Sequence, residues 1–502
     1  MERIYRVFLL SENREHVKIN PTQTRFQKNR KMSPRIKNII WVTSLFLCFF
    51  FIHFATISGA MTIEEEKKLG KKILFEMEKK VDWVRDLTLQ NFINTIGQSL
   101  VAQVGSTPFD FKFYLIVGRD PNAYAIPGGH IFVTTGLLIS TESEQEIAGV
   151  LSHEISHVMA RHVAQMIERS KRLNIASMAA IIAGMLLGGG GKAGEAVAAT
   201  AMATAEALAL KYTREMEVEA DQNGLQYMIR AGYDPNGLIA FMNKIYKHSL
   251  TSGPGIPTYL STHPGIGDRI AMMENLLQTG PKPTGPFKTS GIYRKIQVKA
   301  FVEEREAHVA INHFQSLVDS NPQGVEAHYG LGLAYRKIGR LDKSIEVLHH
   351  ALSLAPKDGD VLRELGITSF FSGKIDQAIK NFETVRSLSK INDDRNDDLL
   401  SVYYLGRCFQ EKGDFSRALP LFLEVKKNYP EWIDVNHSLG SVYGRMGQKG
   451  LSHFYFANFF KLKGEYKNAV HHYKISLDWL ERGSLEREEA QREMRDLGGT
   501  GK

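Results

Sequence analysis

Cysteine is nearly missing from this chain of 502 residues. The two that occur, Cys48 and Cys408, lie far apart, one in an apolar segment and one far downstream. That excludes a disulfide framework and a cysteine-built metal site. Leu47 stands before Cys48, where a lipid-modified N-terminus would need a small residue. An excess of positive charge is missing except in one place. The formal net charge is +8, but residues 1–38 hold ten Lys+Arg against three Asp+Glu, and the remainder is close to neutral. No basic face is implied, and nucleic acid is excluded as a partner. Long apolar runs are also rare. Only Ile39 to Ile57 is long enough to span a bilayer, which argues against a protein embedded in the membrane by several helices. A chain of this length should hold two to four domains.

Residues 1–31 are polar and basic without clear periodicity, and no packed fold is expected there. Met32 reads as the true start. It is followed by Arg35 and Lys37, the apolar run, and the small residues Ser58-Gly59-Ala60. Residues 32–60 are therefore expected to be a signal peptide, either cleaved or retained as a single anchor. The basic residues keep that end in the cytoplasm and send the rest across, so the working domains are extracytoplasmic.

What the chain does contain is His153-Glu154-Ile155-Ser156-His157. Apolar Val150, Leu151, Ile155 and Val158, with no proline or interior glycine between them, predict a helix. A spacing of four puts His153 and His157 on one face, a turn apart, so both imidazoles can reach one metal ion. Glu154 projects beside them, where it can take a proton from a metal-bound water. The pentapeptide alone also fits a surface helix with two incidental histidines, so a third ligand is required. Tyr212 to Asp221 supplies candidates: Glu217 and Asp221 stand four apart on a second predicted helix and can both face the first. Glu217 is the expected third ligand, leaving a fourth position open for water. Asp221, one turn on, is expected either to hydrogen-bond a ligand histidine or to handle a proton. The bland alternative is a solvated acidic run of Glu215, Glu217 and Glu219.

These two motifs resemble the zinc metallopeptidases that include the prenyl-CAAX endoproteases and the heat-shock protease HtpX. That family's second signature, Glu-x-x-Ala-Asp, is matched by Glu217-Val-Glu-Ala-Asp221. The resemblance implies one zinc ion per chain.

Around the motifs, apolar residues at every second position from Phe109 to Val117 predict a half-buried strand. Pro127-Gly128-Gly129 predicts a turn and His130 to Thr134 a strand, so a small sheet should border the cleft with an edge able to pair with an extended substrate. His130 and His162 are assigned structural roles; His162 should lie about 140° round the helix from His157 and face away. The segment 173–210, apolar and then glycine- and alanine-rich, should be a helical hairpin that covers the site or dips into a membrane surface. His263, held extended before Pro264, belongs to a loop in Ser261-Thr-His-Pro-Gly-Ile-Gly-Asp-Arg269. It is read in three ways. It can be an inhibitory fourth ligand that moves in and out, a contact to the oxyanion, or a locally packed side chain.

Pro281-Lys-Pro-Thr-Gly-Pro286 reads as a linker. Beyond it, Leu331-Gly332, Leu365-Gly366, Leu405-Gly406 and Leu439-Gly440 recur, each followed seven residues after its glycine by Gly339, Gly373, Gly413 and Gly447. The period resembles a tetratricopeptide array, with a shortened unit at Gly464, Ala469 and Tyr473. The charged end, 483–502, is expected to fray.

The expected fold is therefore mainly α. A helical HExxH zincin-type metallopeptidase domain with a small β-sheet occupies 61–285, and an α-solenoid of tetratricopeptide repeats occupies 286–482. The layout resembles the bacterial periplasmic beta-barrel assembly-enhancing proteases. It implies a zinc endopeptidase whose repeats recruit protein substrates and envelope assembly machinery, with His153, His157 and Glu217 on the metal. Glu154 is the catalytic base, and Asp221 or His263 assists proton transfer. The alternative is a chaperone or assembly scaffold whose zinc site is latent or structural, closed by His263.

Overall fold

The computed structural model describes residues 61–169, 174–187, 212–251, 258–280, 286–391 and 398–499. The expectations for 1–60, for 188–210 and for the linker at 281–285 lie outside the described residues. Among the described residues, no helix is long and apolar enough to cross a membrane.

The chain enters the fold through α1 (Ile63–Met77), whose start is a capping box. Thr62 Oγ1 accepts from the Glu65 amide, and the Glu65 carboxylate accepts from the Thr62 amide. Gly70 lets this helix meet the following turn: a Cβ there would lie 1.9 Å from the Pro127 carbonyl oxygen. Helix α2 (Leu87–Val101), capped by Asp86, turns Leu89, Phe92, Ile93, Ile96 and Leu100 into the core at helical spacing.

Three strands follow: β1 (Lys112–Ile116), β2 (Ala123–Ile126) and β3 (His130–Thr134). Their order is β1-β3-β2, with β1 parallel to β3 and β2 antiparallel to it. The hairpin turn uses Gly128 and Gly129 at φ of 87° and 94°, a region L side chains avoid. Trp83 bridges Ile116 and covers the outer side of β1, whereas the outer edge of β2 has no strand partner among the described residues.

Short α3 (Thr135–Ser140) leads to α4 (Glu144–Met159), which carries the His-Glu-x-x-His sequence. From Glu146 to Val158 every residue of α4 is buried, so this helix is packed all round and not on one side alone. Small residues make that possible. A Cβ on Gly149 would meet the Leu238 backbone at 2.7 Å, and one on Gly224 would meet Ser152 Oγ at 3.1 Å. Helix α5 (His162–Arg169) turns back from its end, and α6 (Ile175–Leu187) packs on α1. Helix α7 (Arg214–Ala231), started by Thr213 and stopped at left-handed Gly232, carries the Glu-x-x-Ala-Asp sequence against α4. Helices α8 (Asn236–Thr251), α9 (Thr258–Thr262) and α10 (Ile266–Thr279) complete this module.

The next helix, α11 (Tyr293–Glu304), serves two cores. Tyr293, Ile296 and Ala300 join the core of the first module, and Val302 joins that of the first repeats. The first module and the first repeats therefore share a helix and are not packed separately. Lys299 of α11 is 3% exposed and lies 2.9 Å from Asp86 and 2.6 Å from Glu364.

The repeats run α12 (Ala307–Ser320), α13 (Val325–Lys337), α14 (Leu341–Leu354), α15 (Gly359–Phe371), α16 (Ile375–Ile391), α17 (Leu399–Glu411), α18 (Phe415–Asn428), α19 (Ile433–Arg445), α20 (Lys449–Leu462) and α21 (Tyr466–Trp479). The glycines of the period do two jobs. Gly332, Gly366, Gly406 and Gly440 each receive a large side chain sixteen residues on (Leu348, Phe382, Phe422 and Phe456) where a Cβ would stand 2.6–3.0 Å away. Gly339, Gly373, Gly413, Gly447 and Gly464 take φ of 73–77° at the turns. Helix α20 packs against both α19 and α21.

The charged end does not fray as expected. It forms α22 (Leu485–Gly499). Ala490 is fully buried and Met494 and Leu497 pack beside it, a four-then-three spacing that gives an otherwise charged helix one apolar stripe.

Lys299→Ala should destabilise the protein by about 2–4 kcal/mol, because it leaves Asp86 and part of Glu364 buried without their cation. Denaturant unfolding reads this, and an unchanged midpoint would show that the two modules hold together without the pair.

Candidate metal centre

Helix α4 brings the His153 and His157 Nε2 atoms to 3.0 Å from each other. Glu217 of α7 approaches both: its Oε2 is 3.5 Å from His153 Nε2 and its Oε1 is 3.3 Å from His157 Nε2. His263, in the bend after α9, adds Nδ1 at 3.0 Å from Glu217 Oε1 and 3.3 Å from His153 Nε2. The four residues offer one ligand atom each, all within 4.8 Å of one another. His263 Nε2 faces Glu154 Oε1 at 3.5 Å, so this imidazole stands between the donor cluster and the carboxylate.

Asp221 sits one turn beyond Glu217, with Oδ1 2.9 Å from His153 Nδ1. Arg269 of α10 donates to both Asp221 oxygens, at 2.7 and 2.8 Å, and also contacts Glu217 Oε2. Carboxylate to imidazole is the arrangement that fixes the tautomer and ring plane of a metal-binding histidine. Arg269 in turn fixes the carboxylate. It belongs to the loop-and-helix sequence containing His263, but nothing in its spacing announced this role.

His162 does not face away. Helix α4 stops at Met159, and Arg161 takes a left-handed φ of 57°, so the chain does not continue the helical rotation. His162 Nδ1 instead meets His157 Nδ1 at 2.9 Å, and its Nε2 lies 3.4 Å from Glu219. His130 is elsewhere, at the start of β3, with Nδ1 3.0 Å from the Tyr114 hydroxyl; burial pushes its imidazole down to about 4. Two tyrosines that carried no signal in the sequence complete the walls. Tyr212 stacks on His157 at 3.7 Å between ring centroids, and Tyr259, one turn before His263, stacks on that ring at 4.5 Å.

The electrostatics explain what this cluster lacks. Glu154, Glu217 and Asp221 are all fully buried, against the single buried guanidinium of Arg269. The buried carboxylates outnumber that guanidinium, an excess that a bound cation would balance. Burial opposes charge on His153, yet the Asp221 and Glu217 carboxylates outweigh it and push the imidazole up to about 9. Burial would also raise Glu217 and Asp221; His263 and Arg269 hold the first well below the usual range, and Arg269 holds the second below it. For Glu154 burial wins: it raises the carboxyl although His263 and His153 pull the other way. Three imidazoles and a carboxylate form a nitrogen–oxygen donor set of the kind that takes zinc. The residues present fit the ion.

Asp221→Asn should weaken metal binding about 10–100-fold, through loss of the hold on His153. Competition against a chelator measures this, and unchanged affinity would detach Asp221 from the metal shell.

Residues 88–277 match Peptidase family M48, and residues 297–359 and 401–431 match tetratricopeptide repeats. The chain is 34% identical over 310 residues to a "Beta-barrel assembly-enhancing protease" of Yersinia pestis, covering 60% of this chain and 62% of that protein. It is 30% identical over 308 residues to a "Putative beta-barrel assembly-enhancing protease" of Vibrio cholerae, covering 60% and 63%. It is also 25% identical over 288 residues to "Mitochondrial metalloendopeptidase OMA1" of Schizosaccharomyces pombe, covering 53% and 80%. The chain thus spans less than two thirds of the length of the bacterial relatives.

Proposed function

We propose, for a chain whose residues 88–277 form a peptidase family M48 domain followed by tetratricopeptide repeats, a zinc-dependent endopeptidase of the bacterial cell envelope. The observation that carries the reading is the meeting of His153, His157 and Glu217 at one buried point with Glu154 alongside. His153, His157 and Glu217 would hold the ion. A bound zinc ion supplies Lewis-acid polarisation of the substrate carbonyl and acidifies water.

Glu154 takes the proton of the attacking water and passes it to the leaving amine, and the upward pull of burial on its carboxyl favours that exchange. Asp221 acts through His153; the two hydrogen bonds it accepts from Arg269 support orientation of the ligand over proton handling. An extended substrate would add to the outer edge of β2, which has no strand partner among the described residues and lies beside α4. The packing of α6 on α1 and α9 supports a covering role for that segment.

His263 is the gate in this reading. As a fourth donor it fills the position that water needs; withdrawn, it frees that position and can contact the oxyanion. The same observation favours the second reading, a chaperone or assembly scaffold, since a structural site is closed by four protein ligands. The signal-like segment 32–60 supports export to the periplasm, and the repeat array supports recruitment of misfolded or stalled envelope proteins and of the assembly machinery.

Glu154→Gln should abolish cleavage of an unfolded protein substrate while zinc content and melting temperature stay the same. Retained hydrolysis would sink the assigned base. His263→Ala should raise basal cleavage if the scaffold reading is wrong and the site is gated; a variant that remains inert with zinc bound would favour the scaffold.

A further inference from the structure

His157 and His162 meet through like nitrogens, Nδ1 to Nδ1 at 2.9 Å, and both side chains are buried. That contact is a hydrogen bond only if one nitrogen carries a proton and the other a lone pair. The far side of the His157 ring decides which. Its Nε2 lies in the donor cluster, 3.0 Å from His153 Nε2 and 3.3 Å from Glu217 Oε1. A neutral imidazole that offers a lone pair at Nε2 keeps its proton on Nδ1. His157 Nδ1 is then the donor and His162 Nδ1 the acceptor. The same rule leaves the His162 proton on Nε2, which points to Glu219 Oε2 at 3.4 Å. Donation therefore runs one way, from His157 to His162 to Glu219, and ends on a side chain that is 56% exposed.

Tyr212 shows what this bond adds. Its ring stacks on His157 with 3.7 Å between centroids and 14° between planes, which fixes the plane of the imidazole. A half-turn about the Cβ–Cγ bond keeps that plane but exchanges Nδ1 with Cδ2 and Nε2 with Cε1. The turned ring would present carbon to the cluster. Stacking cannot tell the two orientations apart, whereas a hydrogen bond at Nδ1 does.

We propose that His162 and Glu219 are positioning residues of the metal centre, setting the tautomer and ring orientation of His157 as Asp221 does for His153. The inference rests on the metal-binding reading of the cluster. The two ligand histidines are held by different means. His153 Nδ1 meets a buried carboxylate directly at 2.9 Å, and His157 reaches a surface carboxylate through a second imidazole. Imidazole suits the intermediate place because it accepts at one nitrogen while it donates at the other. Of the acidic run in α7, Glu217 enters the cluster and Glu219 supports it from outside.

The full chain is loaded with zinc and titrated with a chelator of known affinity. His162→Leu removes the acceptor and should weaken zinc binding about 10–100-fold. His162→Asn keeps an acceptor near the Nδ1 position and should recover the affinity to within about threefold. Glu219→Ala should weaken binding about two- to fivefold, since that carboxylate is largely solvated. Unchanged affinity in His162→Leu, or equal losses in His162→Leu and His162→Asn, overturns the proposal. A larger loss in Glu219→Ala than in His162→Leu overturns the order of the chain. Nitrogen NMR of the histidine-labelled apoprotein gives a readout without metal, with the His157 signals identified by their loss in His157→Gln. His157 should carry its proton on Nδ1 in the unsubstituted protein and populate both tautomers in His162→Leu. The same tautomer in both overturns the proposal. If the unsubstituted chain binds no zinc, the endopeptidase reading fails by itself, and the nitrogen spectra still decide the role of His162.

Discussion

Three carboxylates buried around a single guanidinium are the constraint on which this structure depends. Glu154, Glu217 and Asp221 are removed from water; Arg269 contacts the last two, and the buried imidazoles of His153 and His263 face all three between them. Burying an unpaired charge costs several kcal/mol, so an arrangement whose carboxylates outnumber its guanidinium would be a liability in a merely structural core. It becomes a stable arrangement when a divalent cation completes it. The chain of contacts from Arg269 to Asp221 to His153 fixes the plane of that imidazole.

Holding that cluster requires α4 to be buried on every side, and the fold achieves this with small residues. Gly149 admits the backbone of α8, and Gly224 on α7 admits that of α4. The sheet closes the remaining side through β2, which packs on α4 and has no second strand partner among the described residues.

The repeats are attached just as firmly. Helix α11 contributes side chains to both cores, and Lys299 ties the capping residue of α2 to Glu364 in the second repeat pair. Because α2 also packs on α4, the array that would bind clients and the helix that would cut them share a continuous set of contacts. Charged residues at this joint are paired and buried, so relative motion of the two parts must break ion pairs in a low-dielectric setting.

Much of this was legible in the sequence because it depends on spacing within one helix or turn. His153 and His157 four apart, Glu217 and Asp221 four apart, and glycines at a fixed repeat all act through local periodicity, which a linear chain displays directly. The strand at His130–Thr134 and the glycine turn before it are local in the same sense. Other features were decided only by the tertiary structure. His162 read as pointing away because rotation was counted along a helix that in fact ends at Met159, and the left-handed turn at Arg161 reverses its direction. The end of the chain read as frayed because its charges outnumber its apolar residues, yet Ala490, Met494 and Leu497 find a surface that only the folded array provides. Arg269, Tyr212 and Tyr259 carry no pattern of their own. Their roles arise from the meeting of α4, α7, α9 and α10, elements distant in sequence, and charge balance across such a meeting has no linear signature.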